Sequence, residues 1–395
     1  MSIAPARARL TDRSFRDGLG VALGAFVLIR VVGLAMLVSG ASAGGFTLSD
    51  RLASWDGQWY LRIAQFGYPG VITLTDPQND ASGMYAFPGG YPWLIRLVSW
   101  FGLSYDGAGI LISWIAAIVA AAGIYYYLSR LANQRTAVIA VALWAGMPMA
   151  ITLSMVYTEA LFVALVTWAL YALLDDRWLL AGTLGLLSGL VRVHGLAVGL
   201  AICGAAILWC RAHRNASRWR PIVGSILGLA GVPLWWLFVA VDGGRIDGWF
   251  VVQSHFWGNG FDFGAAFVTE SWKAVTFRGL AEGQDASGTV VYFVTIAGLV
   301  AALLVMVNLF QRARADSTWL APALYTLGVL GLTIGSAGYL HSKLRYLVPV
   351  VPLLFPLAIV LARSRRLSAI GTVVIFALCG AWWSTFMLVV WKYAI

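Results

Sequence analysis

Ser54-Trp55-Asp56-Gly57-Gln58-Trp59-Tyr60 follows the first long apolar stretch of the chain, residues 18–40. It sets one carboxylate among aromatic rings directly after a segment long enough to cross a bilayer. Trp and Tyr favour the headgroup level, so this run belongs at a membrane surface. Working outward, apolar stretches of spanning length recur at about 18–40, 107–129, 136–155, 158–174, 178–191, 194–210, 221–241, 289–309, 318–338, 346–362 and 368–391. The expected fold is an all-α polytopic membrane protein with about eleven transmembrane helices, one domain over residues 1–395. The stretch 178–191 is short and reads as a broken or re-entrant helix. Composition agrees: 60% of residues are hydrophobic and only 11% charged, against about 25% charged in soluble domains.

The formal charge of +10 invites a nucleic-acid partner, but its distribution argues otherwise. With the N-terminus inside, short inner segments hold Arg7, Arg9, Arg13, Arg16, Arg130, Arg135, Arg177, Arg211, Arg214, Arg218, Arg220, Arg312, Arg314, Arg363, Arg365 and Arg366. This bias follows the positive-inside rule and leaves two long loops outside, 41–106 and 242–288. Long loops in a compact protein carry function or cover a site. The first apolar run is long for a signal peptide and is expected to stay as an uncleaved helix. Cys203, Cys210 and Cys379 fall in or beside apolar segments, so neither a disulfide nor a zinc site is expected. Asn215-Ala216-Ser217 has the glycosylation pattern but falls on the inner side. Gly185 and Gly189 form a GxxxG pair suited to close helix packing.

Several residues have two readings. Asp56 suits either the cap of an interfacial helix starting near Gly57 or a base for a hydroxyl. Arg192 and His194, in Ser188-Gly189-Leu190-Val191-Arg192-Val193-His194-Gly195, sit where the short fifth segment meets the sixth. An ionisable residue there defaults to function, although an arginine also snorkels to headgroups. His341-Ser342-Lys343-Leu344-Arg345-Tyr346 either anchors a helix start or offers a guanidinium fork and an ammonium to phosphate. Thr158-Glu159 either places an acid at a helix N-terminus, where the dipole favours it, or positions the acceptor or pairs with Arg192. Trp249, Phe250, Phe261, Phe263, Phe267 and Trp272 suit segments lying in the interface.

The run Ser54–Tyr60, with Ile63-Ala64-Gln65-Phe66-Gly67-Tyr68-Pro69 and Ala86-Phe87-Pro88-Gly89-Gly90-Tyr91-Pro92, resembles the PIG-V-like mannosyltransferases. That is the family of the second mannosyltransferase of GPI-anchor synthesis, within the GT-C class of membrane glycosyltransferases. Tyr157-Thr158-Glu159-Ala160-Leu161-Phe162, the arginine after a small-residue helix (Arg192), Gln253-Ser254-His255-Phe256-Trp257-Gly258 and Arg345-Tyr346 before Pro349 match further blocks. Gly89-Gly90 departs from the bulkier residues common there, and the chain is short for the family.

The resemblance implies a GT-C fold and transfer of mannose from a polyprenyl-phosphate donor to a lipid-linked or glycan acceptor. It makes Asp56 the base. A phosphate leaves as an anion without a general acid, so inverting transfer needs one carboxylate. Arg192, His194, Lys343 and Arg345 are then expected at the donor phosphate. Trp55, Tyr60, Glu159, Gln253, His255, Trp257, His341 and Tyr346 are expected to position substrates. The expected location is the plasma membrane, with the site on its periplasmic or extracellular face (the ER lumen in a eukaryote). The Ala/Gly/Arg richness suggests an actinobacterium. No metal, cofactor or nucleic-acid partner is expected; membrane lipids are. Arabinose, glucose or galactofuranose remain alternative sugars. A lipid or glycolipid transporter is the rival class, although repeated halves are not evident in the sequence.

Overall fold

The computed structural model describes residues 13–75, 81–281 and 285–395. Arg7 and Arg9 lie outside the described residues. The helices, in chain order, are α1 (Arg13–Ala43), α2 (Leu48–Leu52), α3 (Asp56–Phe66), α4 (Gly90–Ser99), α5 (Tyr105–Leu131), α6 (Gln134–Ala145), α7 (Glu159–Leu173), α8 (Trp178–Val191) and α9 (Gly195–Ala212). They continue with α10 (Trp219–Asp242), α11 (Gly248–Trp257), α12 (Ala265–Val275), α13 (Arg278–Ala281), α14 (Ala286–Ala315), α15 (Leu320–Gly335), α16 (Phe355–Arg363) and α17 (Arg366–Val389). The chain is an all-α polytopic membrane protein.

All eleven apolar stretches are wholly or largely helical, but not all are full spans. Among the described residues seven helices are long and apolar enough to cross a membrane, or eight if Leu340–Leu347 and Val351–Arg363 form one span bent by 76°. The shortfall has local causes. α6 stops after 12 residues at Gly146, because Pro148 disfavours helix at Met147, and Met149 turns left-handed at φ 67°. Pro349 and Pro352 break the segment before α16 into 3₁₀ turns over Leu340–Leu347 and Val351–Leu354, since proline lacks the N–H that an α-helix needs. Pro356 sits in the first turn of α16, where that N–H has no partner anyway. α8 ends where Arg192 is extended (φ −150°, ψ 144°). These interruptions hold polar side chains inside the helical body.

Packing around them is tight. A Cβ on Gly182 would lie 2.4 Å from the Gly224 carbonyl oxygen, and one on Gly189 2.7 Å from Val232 N. α8 and α10 therefore meet backbone to backbone, as small residues permit in membranes. Arg30, buried in α1, donates to the Ala145 carbonyl (3.4 Å) and to Ser154 Oγ (2.8 Å). It thus closes the carbonyl end of α6, where a cation is favoured. The cysteines are free.

The two long loops are folded against each other. The first carries α2, α3, a 3₁₀ turn at Ala81–Ala86 and α4; the second carries α11 to α13. Trp257 Nε1 donates to the Gly83 carbonyl (3.3 Å) and Gln253 Nε2 to that of Ala86 (3.4 Å). Tyr85 donates to Asp242 Oδ2 at 2.5 Å. The segment between α11 and α12 joins the end of α15 through an antiparallel bridge between Phe261 and Ser336.

Candidate active site

The site begins with a turn. Trp55 has φ 58° and ψ −120°, and the Gly57 N–H donates to the Ser54 carbonyl at 3.1 Å. Those are the dihedrals of the second residue of a type II′ turn, where glycine is usual. A tryptophan there stores strain of about 1–3 kcal/mol. Asp56 is the first residue of α3, and no side-chain cap bond closes this helix. The carboxylate is therefore free to point elsewhere: Asp56 Oδ2 lies 2.7 Å from Arg345 Nη1.

Three further chain breaks meet it. Glu159 opens α7, Arg192 follows α8, and Arg345 lies in the 3₁₀ turn before the proline-broken segment. Glu159 is wholly buried; its Oε1 is 2.8 Å from Arg192 Nη1 and 3.5 Å from Arg345 Nε. Two carboxylates and two guanidinium groups thus form one chain, Asp56–Arg345–Glu159–Arg192, with formal charges that cancel. Burying an unpaired charge is costly, and pairing makes the cluster tenable. The pairing is close but poorly aligned. Neither Glu159 oxygen, nor Arg345 Nε or Nη1, has a hydrogen bond of good geometry. The arginine donors are therefore not saturated. Asp56 is the most exposed member, its side chain 18% accessible against 6% for Arg345.

Aromatic and hydroxyl groups hold the chain. Tyr346 lies between the guanidinium groups, its ring centre 5.2 Å from Arg345 Cζ and 5.7 Å from Arg192 Cζ, and His194 sits 5.3 Å from the same ring. Arg192 Nη1 also donates to Thr158 Oγ1 (2.8 Å), and Tyr60 Oη lies 3.4 Å from that hydroxyl. Tyr60 packs edge-on against Phe87 and Tyr91. Burial raises the Tyr60 phenol pKa first, with the Asp56 charge adding to it. The hydroxyl therefore stays protonated.

Of the expected residues, Asp56, Tyr60, Glu159, Arg192, His194, Arg345 and Tyr346 come together. Trp55 adjoins them through its backbone turn. The others are elsewhere, for physical reasons. Lys343, two residues from Arg345 on a three-residue turn, points to another face and donates to the Ser336 carbonyl at 2.6 Å. There it helps N–H groups of Ala266 and Gly264 hold the Asp262 carboxyl below its usual range. His341 is ringed by Tyr292, Tyr339, Trp391 and Tyr393. Gln253 and Trp257 are spent on tying the loops together, and His255 is exposed beside Phe256. Thr158 and Tyr157, which share a motif block with Glu159 but carried no expected role of their own, also join the cluster.

Comparisons with known proteins address the fold. No curated protein matches the sequence. The sequence model of the family described as dolichyl-phosphate-mannose-protein mannosyltransferase matches residues 88–238, which include Glu159 and Arg192. The crystal structure of ArnT from Cupriavidus metallidurans bound to undecaprenyl phosphate is similar over 89% of this chain, with TM-score 0.52 and 16% identity. The fold is the GT-C fold. The apo state of the same protein gives TM-score 0.51, again at 16% identity and 89% coverage of this chain. This GT-C chain spans 62% of the length of ArnT.

Proposed function

We propose that this chain is a GT-C glycosyltransferase that moves mannose from a polyprenyl-phosphate-mannose donor to a lipid-linked or glycan acceptor, with inversion. The observation that carries the reading is the Asp56–Arg345–Glu159–Arg192 chain. It sets one accessible carboxylate beside guanidinium groups with unused donors. The acceptor hydroxyl oxygen attacks the anomeric carbon while the bond from that carbon to the phosphate oxygen breaks. The bonding pair stays on the phosphate, and Asp56 takes the hydroxyl proton. Arg345 and Arg192 stabilise the charge that develops on the leaving phosphate. Glu159, between them, spaces the two guanidinium groups and keeps them charged in a buried setting. The match to a dolichyl-phosphate-mannose-dependent family over residues 88–238 supports the donor class, as does the undecaprenyl phosphate bound by ArnT. The decisive experiment is a transfer assay. Membranes containing this chain should move radiolabel from polyprenyl-phosphate-mannose into a lipid or glycan fraction. Label arriving only from a nucleotide sugar overturns the donor assignment.

The positive-inside bias supports a site on the outer face of the plasma membrane. Cysteines introduced into the described parts of 41–106 and 242–288 should react with an impermeant thiol reagent in intact cells. A cysteine at Ser217 should stay protected until the membrane is opened. The reverse pattern puts Asp56 in the cytoplasm.

A further inference from the structure

The strained turn before Asp56 is held from outside by a residue with no part in the chemistry above. Tyr157 is buried, 1% exposed. Its hydroxyl donates to the Ser54 carbonyl and accepts from the Asp56 N–H, both at 3.3 Å. One hydroxyl therefore grips the peptide groups on both sides of Trp55, whose φ of 58° an L-residue leaves unless held there. The grip is reinforced one residue earlier, where the Val156 N–H donates to the Leu52 carbonyl at 2.9 Å. The Tyr157 ring faces the Arg345 guanidinium at 5.2 Å. The same side chain thus touches the backbone that aims Asp56 and the cation that Asp56 meets.

We propose that Tyr157 is a positioning residue: its hydroxyl holds the Ser54–Gly57 turn in its II′ form and so fixes where the Asp56 carboxylate stands. This rests on the reading of Asp56 as the base. Without the hydroxyl the turn relaxes towards dihedrals that tryptophan prefers, and the carboxylate swings from the acceptor. A small misplacement of a catalytic group is enough to slow the reaction severely. The ring and its contact with Arg345 are untouched by loss of the hydroxyl, so the donor phosphate is unaffected.

Tyr157→Phe isolates the hydroxyl. Its kcat should fall about tenfold with the donor KM unchanged. The second arm is a double-mutant cycle. In an Asp56→Asn background, where no carboxylate remains to be aimed, Tyr157→Phe should change the residual rate by less than twofold. A wild-type kcat for Tyr157→Phe overturns the proposal. So does an equal fold loss in both backgrounds, which marks a general packing role, or a rise in donor KM matching the loss in kcat. If Asp56→Asn itself turns over at the wild-type rate, the assignment of the base fails, and this proposal with it.

Discussion

Asp56→Asn should lower turnover by about 10²–10⁴-fold, the usual worth of a general base, and at the same time bind polyprenyl phosphate about tenfold more tightly. The first effect follows because an amide does not take the proton of the attacking hydroxyl. The second follows from the contact at 2.7 Å between Asp56 Oδ2 and Arg345 Nη1. This carboxylate occupies a guanidinium that, on the reading proposed above, the donor phosphate also uses. Removing its charge removes a competitor for a charge-assisted contact, worth roughly 1.5–3 kcal/mol, of which a tenfold gain uses about 1.4 kcal/mol. Turnover is measured with labelled donor, and affinity with polyprenyl phosphate in detergent micelles. Wild-type turnover makes Asp56 a structural residue. Lost turnover with unchanged affinity keeps it as the base but means that phosphate and carboxylate share Arg345 without competing.

Arg345→Ala should damage both stability and lipid-phosphate binding. It leaves Asp56 and Glu159 without the cation that joins them, and Glu159 is fully buried. Removing one partner of a buried ion pair costs about 3–5 kcal/mol. Here Arg192 still compensates Glu159, and Asp56 can turn towards water, so the lower end applies. Polyprenyl-phosphate affinity should fall about tenfold or more. Arg345→Lys should recover part of the stability but little of the affinity. One ammonium replaces the positive charge without reproducing a planar fork that reaches two carboxylates and a phosphate. The control is Arg245→Ala, whose exposed pairing with Asp247 lies outside the cluster; it should leave melting temperature and transfer unchanged. If Arg345→Ala matches that control in lipid-phosphate affinity, the phosphate is held elsewhere.

Much of this protein is legible in one dimension. Apolar stretches of bilayer length, with basic residues between them, determine an all-α polytopic chain, because backbone groups in hydrocarbon must bond within their own segment. Cost of burial marked Arg192, since an ionisable residue at membrane depth defaults to function; Asp56 and Arg345 were marked by their motifs and by the family resemblance. Glu159 was visible as an acid at a helix start, though not as the group between two arginines. Helix length was less legible: the apolar run through 136–155 looks continuous, yet Pro148 ends it as a helix early. Lys343 and Arg345 looked like one phosphate clamp, being two residues apart. A three-residue turn sends them to different faces, and adjacency in sequence carries no such direction.

By itself, then, the sequence determined which residues are too polar for where they lie. Only the tertiary structure decided which of them share a charge balance. Spanning helices are local objects, set by hydrophobicity and proline over some twenty residues. The chain Asp56–Arg345–Glu159–Arg192 draws on four chain breaks up to 289 residues apart (345 − 56). Its members were chosen by packing, through glycine contacts such as Gly189 against Val232 and through the broken helices that those contacts support. The II′ turn at Trp55 is the sharpest instance. Tryptophan gives no local signal for a positive φ, and the conformation exists because Tyr157, a hundred residues later, holds it.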